Sequence, residues 1–200
     1  MKIGIDFDNT IANYESAFYH AALDRGLVPK EISQKKNDVR DFLNNNNEKN
    51  AFTELQGYIY GARMDLARPF GDSLDFIKKA KIKNHEIYIV SHKSLYPIRG
   101  PKYNLHEAAT KFLIDWGFIG KDYLTFRDVY FEETKEKKIS RIYDLDINIF
   151  IDDLPEILHL LDLMSDKNKI LFDPSNNHSQ KGYTFTNINS WFNIAKFLEV

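Results

Sequence analysis

GIDFDNT, residues 4–10 of the 200-residue chain, closes a short apolar run with two carboxylates two positions apart. The segment IGIDF (3–7) has the continuous apolar character of a strand covered on both faces. Side chains alternate along a strand, so Asp6 and Asp8 point to one side while Ile5 and Phe7 point to the other. In an open parallel sheet, ligands bind beyond the carboxyl ends of the strands, which is where both aspartates fall. The plainer alternative is a turn whose aspartates cap the next helix. The rest of the chain decides between the two.

Strand and helix patterns alternate outward from this segment. Apolar runs at 86–90, 128–131, 147–151 and 169–172 read as further strands. Helical patterns are expected over 12–25, 52–66, 72–83, 104–116, 133–144, 154–163 and 190–198. The helix from Asn104 is well marked: Asn104 and Glu107 form a capping-box pair, and Leu105, Ala108, Ala109, Phe112 and Trp116 make one apolar face. Strands separated by helices of this length predict an α/β fold with a doubly wound, Rossmann-like parallel sheet. Between residues 13 and 68 there is helix and loop but no convincing strand. The expected organisation is therefore a core made of 1–11 and 70–200, with a small α-helical insertion at 12–69.

Composition narrows the function classes. An apolar fraction of 43% with 14% aromatic residues fills a sizeable core, and a net charge of −2 gives no general attraction to polyanions. The chain has no cysteine, which excludes disulfides, thiolate metal sites and cysteine nucleophiles. No stretch approaches the ~18 apolar residues of a membrane span, and Asp6 and Asp8 interrupt the N-terminal apolar run too early for a signal peptide. The expectation is a soluble cytoplasmic protein with neither nucleic-acid polymer nor membrane as partner.

Other strand ends carry chemistry as well. IFIDDLPEIL (149–158) is again an apolar strand ending in acids. Asp153 lies three residues before Glu156, with Pro155 in the first turn, so helix capping accounts for it. Asp152 is not needed for that cap. EIYIV (86–90) runs into Ser91 where no helix begins, and the helix before 147–151 offers Lys135, Lys137 and Lys138. Acids, a hydroxyl and a lysine at strand ends suit a dianion held beside a hard divalent metal: carboxylates bind Mg²⁺, while Ser and Lys donate to phosphate oxygens.

In this order, D-x-D-N-T at 6–10, Ser91, a lysine ahead of the fourth strand and I-D-D at 151–153, the chain resembles the haloacid dehalogenase superfamily in its phosphatase branch. The resemblance covers about 1–11 and 70–200, and the insertion at 12–69 resembles that family's small helical cap. The dehalogenases that gave the family its name lack the second aspartate, which is present here as Asp8. The resemblance implies that Asp6 is a nucleophile forming an aspartyl-phosphate and that Asp8 is the general acid and base. It implies Mg²⁺ held by Asp6, Asp152 and the backbone carbonyl of Asp8, with Asp153 orienting from behind as well as capping. Asn9, Ser91 and the lysine would bind the substrate phosphate. Lys138, fourteen residues before Asp152, matches the family spacing, with Lys135 one turn back as the alternative.

Two stretches bear on the substrate. Tyr14, Tyr58, Tyr60 and Arg63 in the insertion are candidates to face the site, or are core and surface residues. SHKSLYPIRGPKYN (91–104) carries Lys93, Arg99 and Lys102, and no acid occurs from Ile87 to His106. Pro97, Gly100 and Pro101 make it turn-rich, and Arg99 and Lys102 are either contacts to a leaving group or plain basic surface. The expected function is a Mg²⁺-dependent phosphomonoester hydrolase acting on a small phosphorylated metabolite. A 5′-(deoxy)nucleotidase is the alternative, and a non-catalytic phosphate-sensing or scaffolding protein is the alternative from another class.

Overall fold

The computed structural model describes residues 1–46, 49–120, 123–178 and 184–200. The chain forms two compact units, one made of Met1–Ala12, Pro69–Lys93 and Trp116–Val200, the other of Asn13–Arg68 and Ser94–Asp115. Two-residue strands, β2 (Ala12–Asn13) and β3 (Arg68–Pro69), lie where the chain first leaves one unit and returns.

The first unit is a six-stranded parallel sheet. Its strands are β1 (Lys2–Ile5), β4 (Glu86–His92), β5 (Val129–Glu132), β6 (Ile149–Asp152), β7 (Lys169–Phe172) and β8 (Thr186–Ile188). Their order is β5-β4-β1-β6-β7-β8, so the winding reverses at β1, where an open α/β sheet leaves its crevice. Four helices cover the faces: α4 (Ser73–Ile82), α6 (Lys135–Asp144), α7 (Pro155–Leu160) and α8 (Trp191–Phe197). This is the expected doubly wound α/β fold.

Burial explains the apolar runs. IFID of β6 and KILF of β7 are buried at every position, as befits strands sandwiched between helix layers. Val90, Phe150 and Leu171 join Ile142, Ile157, Leu158 and Leu161 in one core on the α6/α7 side. On the other side Trp191 of α8 packs against Phe76 of α4 at 5.0 Å and Phe172 at 5.6 Å between ring centroids. Gly4 is required in β1, because a Cβ there would sit 2.6 Å from the Phe150 ring.

The second unit is helical: α1 (Glu15–Asp24), α2 (Lys36–Asn45), α3 (Lys49–Gly61) and α5 (Leu105–Asp115). Tyr14, Tyr60, Phe18 and Phe52 form its aromatic centre, with Tyr14–Tyr60 centroids 4.6 Å apart and Phe18–Phe52 stacked at 5.2 Å. Residues 94–115, assigned to the core in the sequence reading, group with 13–68 instead. The reason is visible on α3. Gly57 and Gly61, one turn apart, leave a flat strip on which Pro97, the Arg99 backbone and Tyr103 rest.

α2 falls in the polar stretch between the helices expected at 12–25 and 52–66, and β8 was not anticipated. Both are nearly silent in the sequence: α2 buries only Val39 and Leu43, and β8 is a three-residue edge strand with no fully buried side chain. Among the described residues no helix is long and apolar enough to cross a membrane.

Candidate active site

β1 ends at Ile5, and the next residue continues the ladder, the Asp6 N–H donating to the Ile151 carbonyl at 2.9 Å. The chain then turns sharply. The N–H groups of Ile11 and Ala12 both bond the Phe7 carbonyl, and the Asn9 N–H bonds the Ala12 carbonyl. Asn9 sits at φ +56°, a left-handed conformation that asparagine tolerates better than most residues. Turning the loop is thus what the structure assigns to Asn9, the expected phosphate binder. The Trp191 indole N–H donates to the Thr10 carbonyl at 3.0 Å and ties this loop to the core.

Asp6 is buried, and its Oδ1 accepts from Ser91 Oγ at 2.9 Å and from Lys138 Nζ at 2.5 Å. Lys138 Nζ also reaches Asp152 Oδ2 at 2.6 Å. The structure therefore brings Asp6, Ser91, Lys138 and Asp152, drawn from four separate segments, to one point. Of the candidate lysines, Lys138 shares the buried face of α6 with Ile142, one turn on. Lys135 pairs with Glu156 at the surface, 2.7 Å away, and Lys137 is exposed.

The electrostatics follow from burial. Burial pushes the Asp6 carboxyl up to about 7, with Lys138 opposing the rise and the Asp152 and Asp8 charges adding to it. Asp153 is raised well above the carboxylate range by burial and then by Asp152 and Asp6. Burial works against the Lys138 ammonium, but the Asp152 and Asp6 carboxylates outweigh it and hold its pKa above the ordinary lysine value.

Asp6, Asp152 and Asp153 each offer a carboxylate oxygen within 4.8 Å of the others. An all-oxygen set of three clustered carboxylates fits a hard divalent cation, whose charge would offset their mutual repulsion. This cluster contains the Asp6 and Asp152 carboxylates of the expected ligand set and adds that of Asp153, expected only to orient from behind. The expected helix cap is corrected as well. Asp152 Oδ1 accepts from the Leu154 N–H at 2.9 Å, and Leu154, the N-cap residue of α7, makes no side-chain cap bond. The Asp153 side chain is left to the acid cluster.

Lys93 was missed as a site residue, having been read as one charge in a basic loop. Its ammonium donates to both oxygens of Asp8, at 2.9 and 2.8 Å, and only 3% of the residue is exposed. The available signal was strand periodicity: β4 runs on to His92, so Ser91 and Lys93 share a face.

The remaining candidates lie in the helical unit. Tyr14 is fully buried with its hydroxyl on Met64 Sδ at 3.5 Å, and Arg63 bonds Asp24 at 3.1 Å and Asp65 at 3.0 Å. Arg25 lies over the Tyr58 ring at 5.1 Å. Arg99 and Lys102 are exposed, with the Lys102 ammonium 5.9 Å from the Tyr96 ring centroid.

Solved structures of haloacid dehalogenase superfamily hydrolases and phosphatases share this fold along nearly the whole chain. A predicted phosphatase from Clostridium acetobutylicum superposes with a TM-score of 0.61 at 12% identity, covering 100% of this chain and 98% of its own. A HAD family hydrolase from Deinococcus radiodurans R1, with bound phosphate and sodium, gives 0.60 at 12% identity over 99% and 95%. A HAD hydrolase from Bacillus subtilis bound to magnesium gives 0.54 at 12% identity over 100% and 98%. No protein-family model matches the sequence. No curated protein matches it either.

Proposed function

We propose that the chain is a Mg²⁺-dependent phosphomonoester hydrolase that works through an aspartyl-phosphate at Asp6, on a small phosphorylated metabolite. The observation that carries this reading is Asp6 itself: a buried carboxylate at the winding reversal of the sheet, bonded by Ser91 and Lys138 and flanked by Asp152 and Asp153. An Asp6 oxygen attacks phosphorus, forming an O–P bond as the bond to the leaving oxygen breaks. Asp8 gives that oxygen its proton, then takes one from the water that cleaves the Asp6–phosphorus bond and releases phosphate. Ser91 and Lys138, freed from Asp6 as it turns to phosphorus, donate to the phosphoryl oxygens. Asp6, Asp152 and Asp153, with the Asp8 carbonyl, are the groups that would hold Mg²⁺. When bound, the metal supplies positive charge between the acids and the incoming dianion. The neighbours with bound phosphate and with bound magnesium are consistent with this assignment. Arg99 and Lys102 remain proposed contacts to the leaving group.

A panel of phosphomonoesters (sugars, polyols, nucleotides and phospho-amino acids), assayed with Mg²⁺ and with chelator, tests the reading. Turnover should need the metal, and a phosphoenzyme should be trapped in the native chain but not in Asp6→Asn. Undiminished turnover in excess chelator removes the metal. A phosphoenzyme that persists in Asp6→Asn removes the nucleophile. Absence of turnover on the whole panel, with phosphate still bound, would favour the sensing or scaffolding alternative.

A further inference from the structure

Lys93 has no part in the chemistry just described, yet it is a buried cation at the same strand ends. Its backbone N–H donates to the Glu132 carbonyl at 2.8 Å, extending the β4–β5 ladder by one residue. Its ammonium lies 5.4 Å from the centroid of the Phe7 ring and bonds both Asp8 oxygens. Asp8, by contrast, stands past the end of β1 with 19% of its side chain exposed. A carboxylate there, on a turn and open to water, has two torsions to settle. Two bonds from one fixed ammonium set both the direction and the plane of the group.

A purely structural account of Lys93 is poor. Taking an ammonium out of water is costly, and buried ion pairs are often replaced by apolar residues of similar size without loss of stability. A methionine could lie along Phe7 with the same backbone ladder. What the apolar residue could not do is hold Asp8.

We infer that Lys93 is a positioning residue, fixing the Asp8 carboxyl in the orientation that meets the leaving oxygen. The inference rests on the proposed role of Asp8 and adds to it the group that aims it. Proton donation matters most when the leaving group is a poor anion, so loss of aim should show as a dependence on the leaving group. Because kcat/KM reports the steps through phosphoenzyme formation, it reads that dependence without interference from the later hydrolysis.

The experiment measures kcat/KM at one pH with saturating Mg²⁺ for an alkyl phosphate such as glycerol 3-phosphate and for 4-nitrophenyl phosphate. Lys93→Met should lower the alkyl value by ~30-fold and the nitrophenyl value by ~3-fold, part of the ~10²–10⁴ that general acid–base help supplies. Lys93→Arg should recover part of the alkyl loss. In an Asp8→Asn background, Lys93→Met should cost no more than about threefold further, since two groups acting as one unit are not additive. Equal losses on both esters for Lys93→Met, with Asp8→Asn still discriminating between them, would overturn the Lys93 inference alone. Equal losses for Asp8→Asn would remove the acid role and this inference with it. A thermal midpoint that falls in step with both activities would mark Lys93 as a fold residue, and would likewise overturn it.

Discussion

Lys93 and Arg99 belong to one run of positive charge in the sequence, yet they occupy opposite environments. Lys93 closes a buried strand end and is bound by an acid of the candidate site, whereas Arg99 lies six residues on in an exposed turn. The physical divide between them is the end of the β-ladder. Up to Lys93 the backbone is held by β5, so side-chain direction is fixed by the pleat and a charge can be aimed. From Ser94 the chain is in the helical unit, lying on α3 through glycine contacts. Local charge in a sequence therefore says little until the strand end is located.

The largest effect expected from the strand-end side is that of Asp6→Asn. It should reduce kcat by ~10⁴-fold or more, the scale seen when a nucleophile is removed from a group that acts as a unit. Steady-state kinetics with phosphoenzyme trapping checks it. Residual turnover above a hundredth of the native value would place the nucleophile elsewhere.

The next effect is on stability and carries a definite sign. In the metal-free protein the Asp6 carboxyl is raised from its ordinary 3.8 to about 7, so the folded state holds a proton that the unfolded chain has released. That contribution is fully present below about pH 3.8 and is lost as the pH rises through about 7. Asp153 is shifted in the same direction. In chelator, the thermal midpoint should fall by ~5 °C from pH 5.5 to pH 8. The fall should flatten in Asp6→Asn, and Mg²⁺ should raise the midpoint more at pH 8 than at pH 5.5. Thermal melts followed by circular dichroism across that range decide it, and a midpoint independent of pH would contradict the assigned burial.

Gly61→Val probes the other region. Its new side chain would overlap the Tyr103 Cβ, so it should destabilise the protein by ~1–3 kcal/mol through overpacking. Denaturant titration measures this. A neutral result would mean that 94–104 does not lie on α3.

Arg99→Ala is the smallest. It should leave stability within ~0.5 kcal/mol, as for most exposed positions. It should change kcat/KM on a minimal aryl phosphate by less than about threefold and lower it by ~10-fold or more only for a leaving group that carries its own anion. Equal change on both substrates would erase the distinction between the two ends of the basic run.

The strand-end acids were legible in the sequence because a parallel sheet leaves a simple signature: continuous apolar runs, ended by residues that do not suit a core. Asp6, Ser91 and Asp152 could be read that way, whereas Lys138 was singled out from Lys135 and Lys137 only by the spacing that the family resemblance implies. The polar helix α2 and the edge strand β8 could not, since each buries too little for its period to stand out from loop composition. The Asp152 and Asp153 roles were partly exchanged for a related reason. Adjacent residues point in different directions, and which of them reaches the Leu154 N–H depends on where β6 ends, a matter of one residue.

By itself, then, the chain's order of residues determined the alternation of strand and helix, the parallel sheet and the identity of the acids at its carboxyl edge. These are short-range consequences of periodicity and of where polar groups interrupt it. Only the tertiary structure decided that Lys138 bridges Asp6 and Asp152, that Lys93 holds Asp8, and that 94–115 joins the helical unit. Each of these links residues far apart in sequence. Such contacts are set by strand order and close packing, which no local pattern encodes.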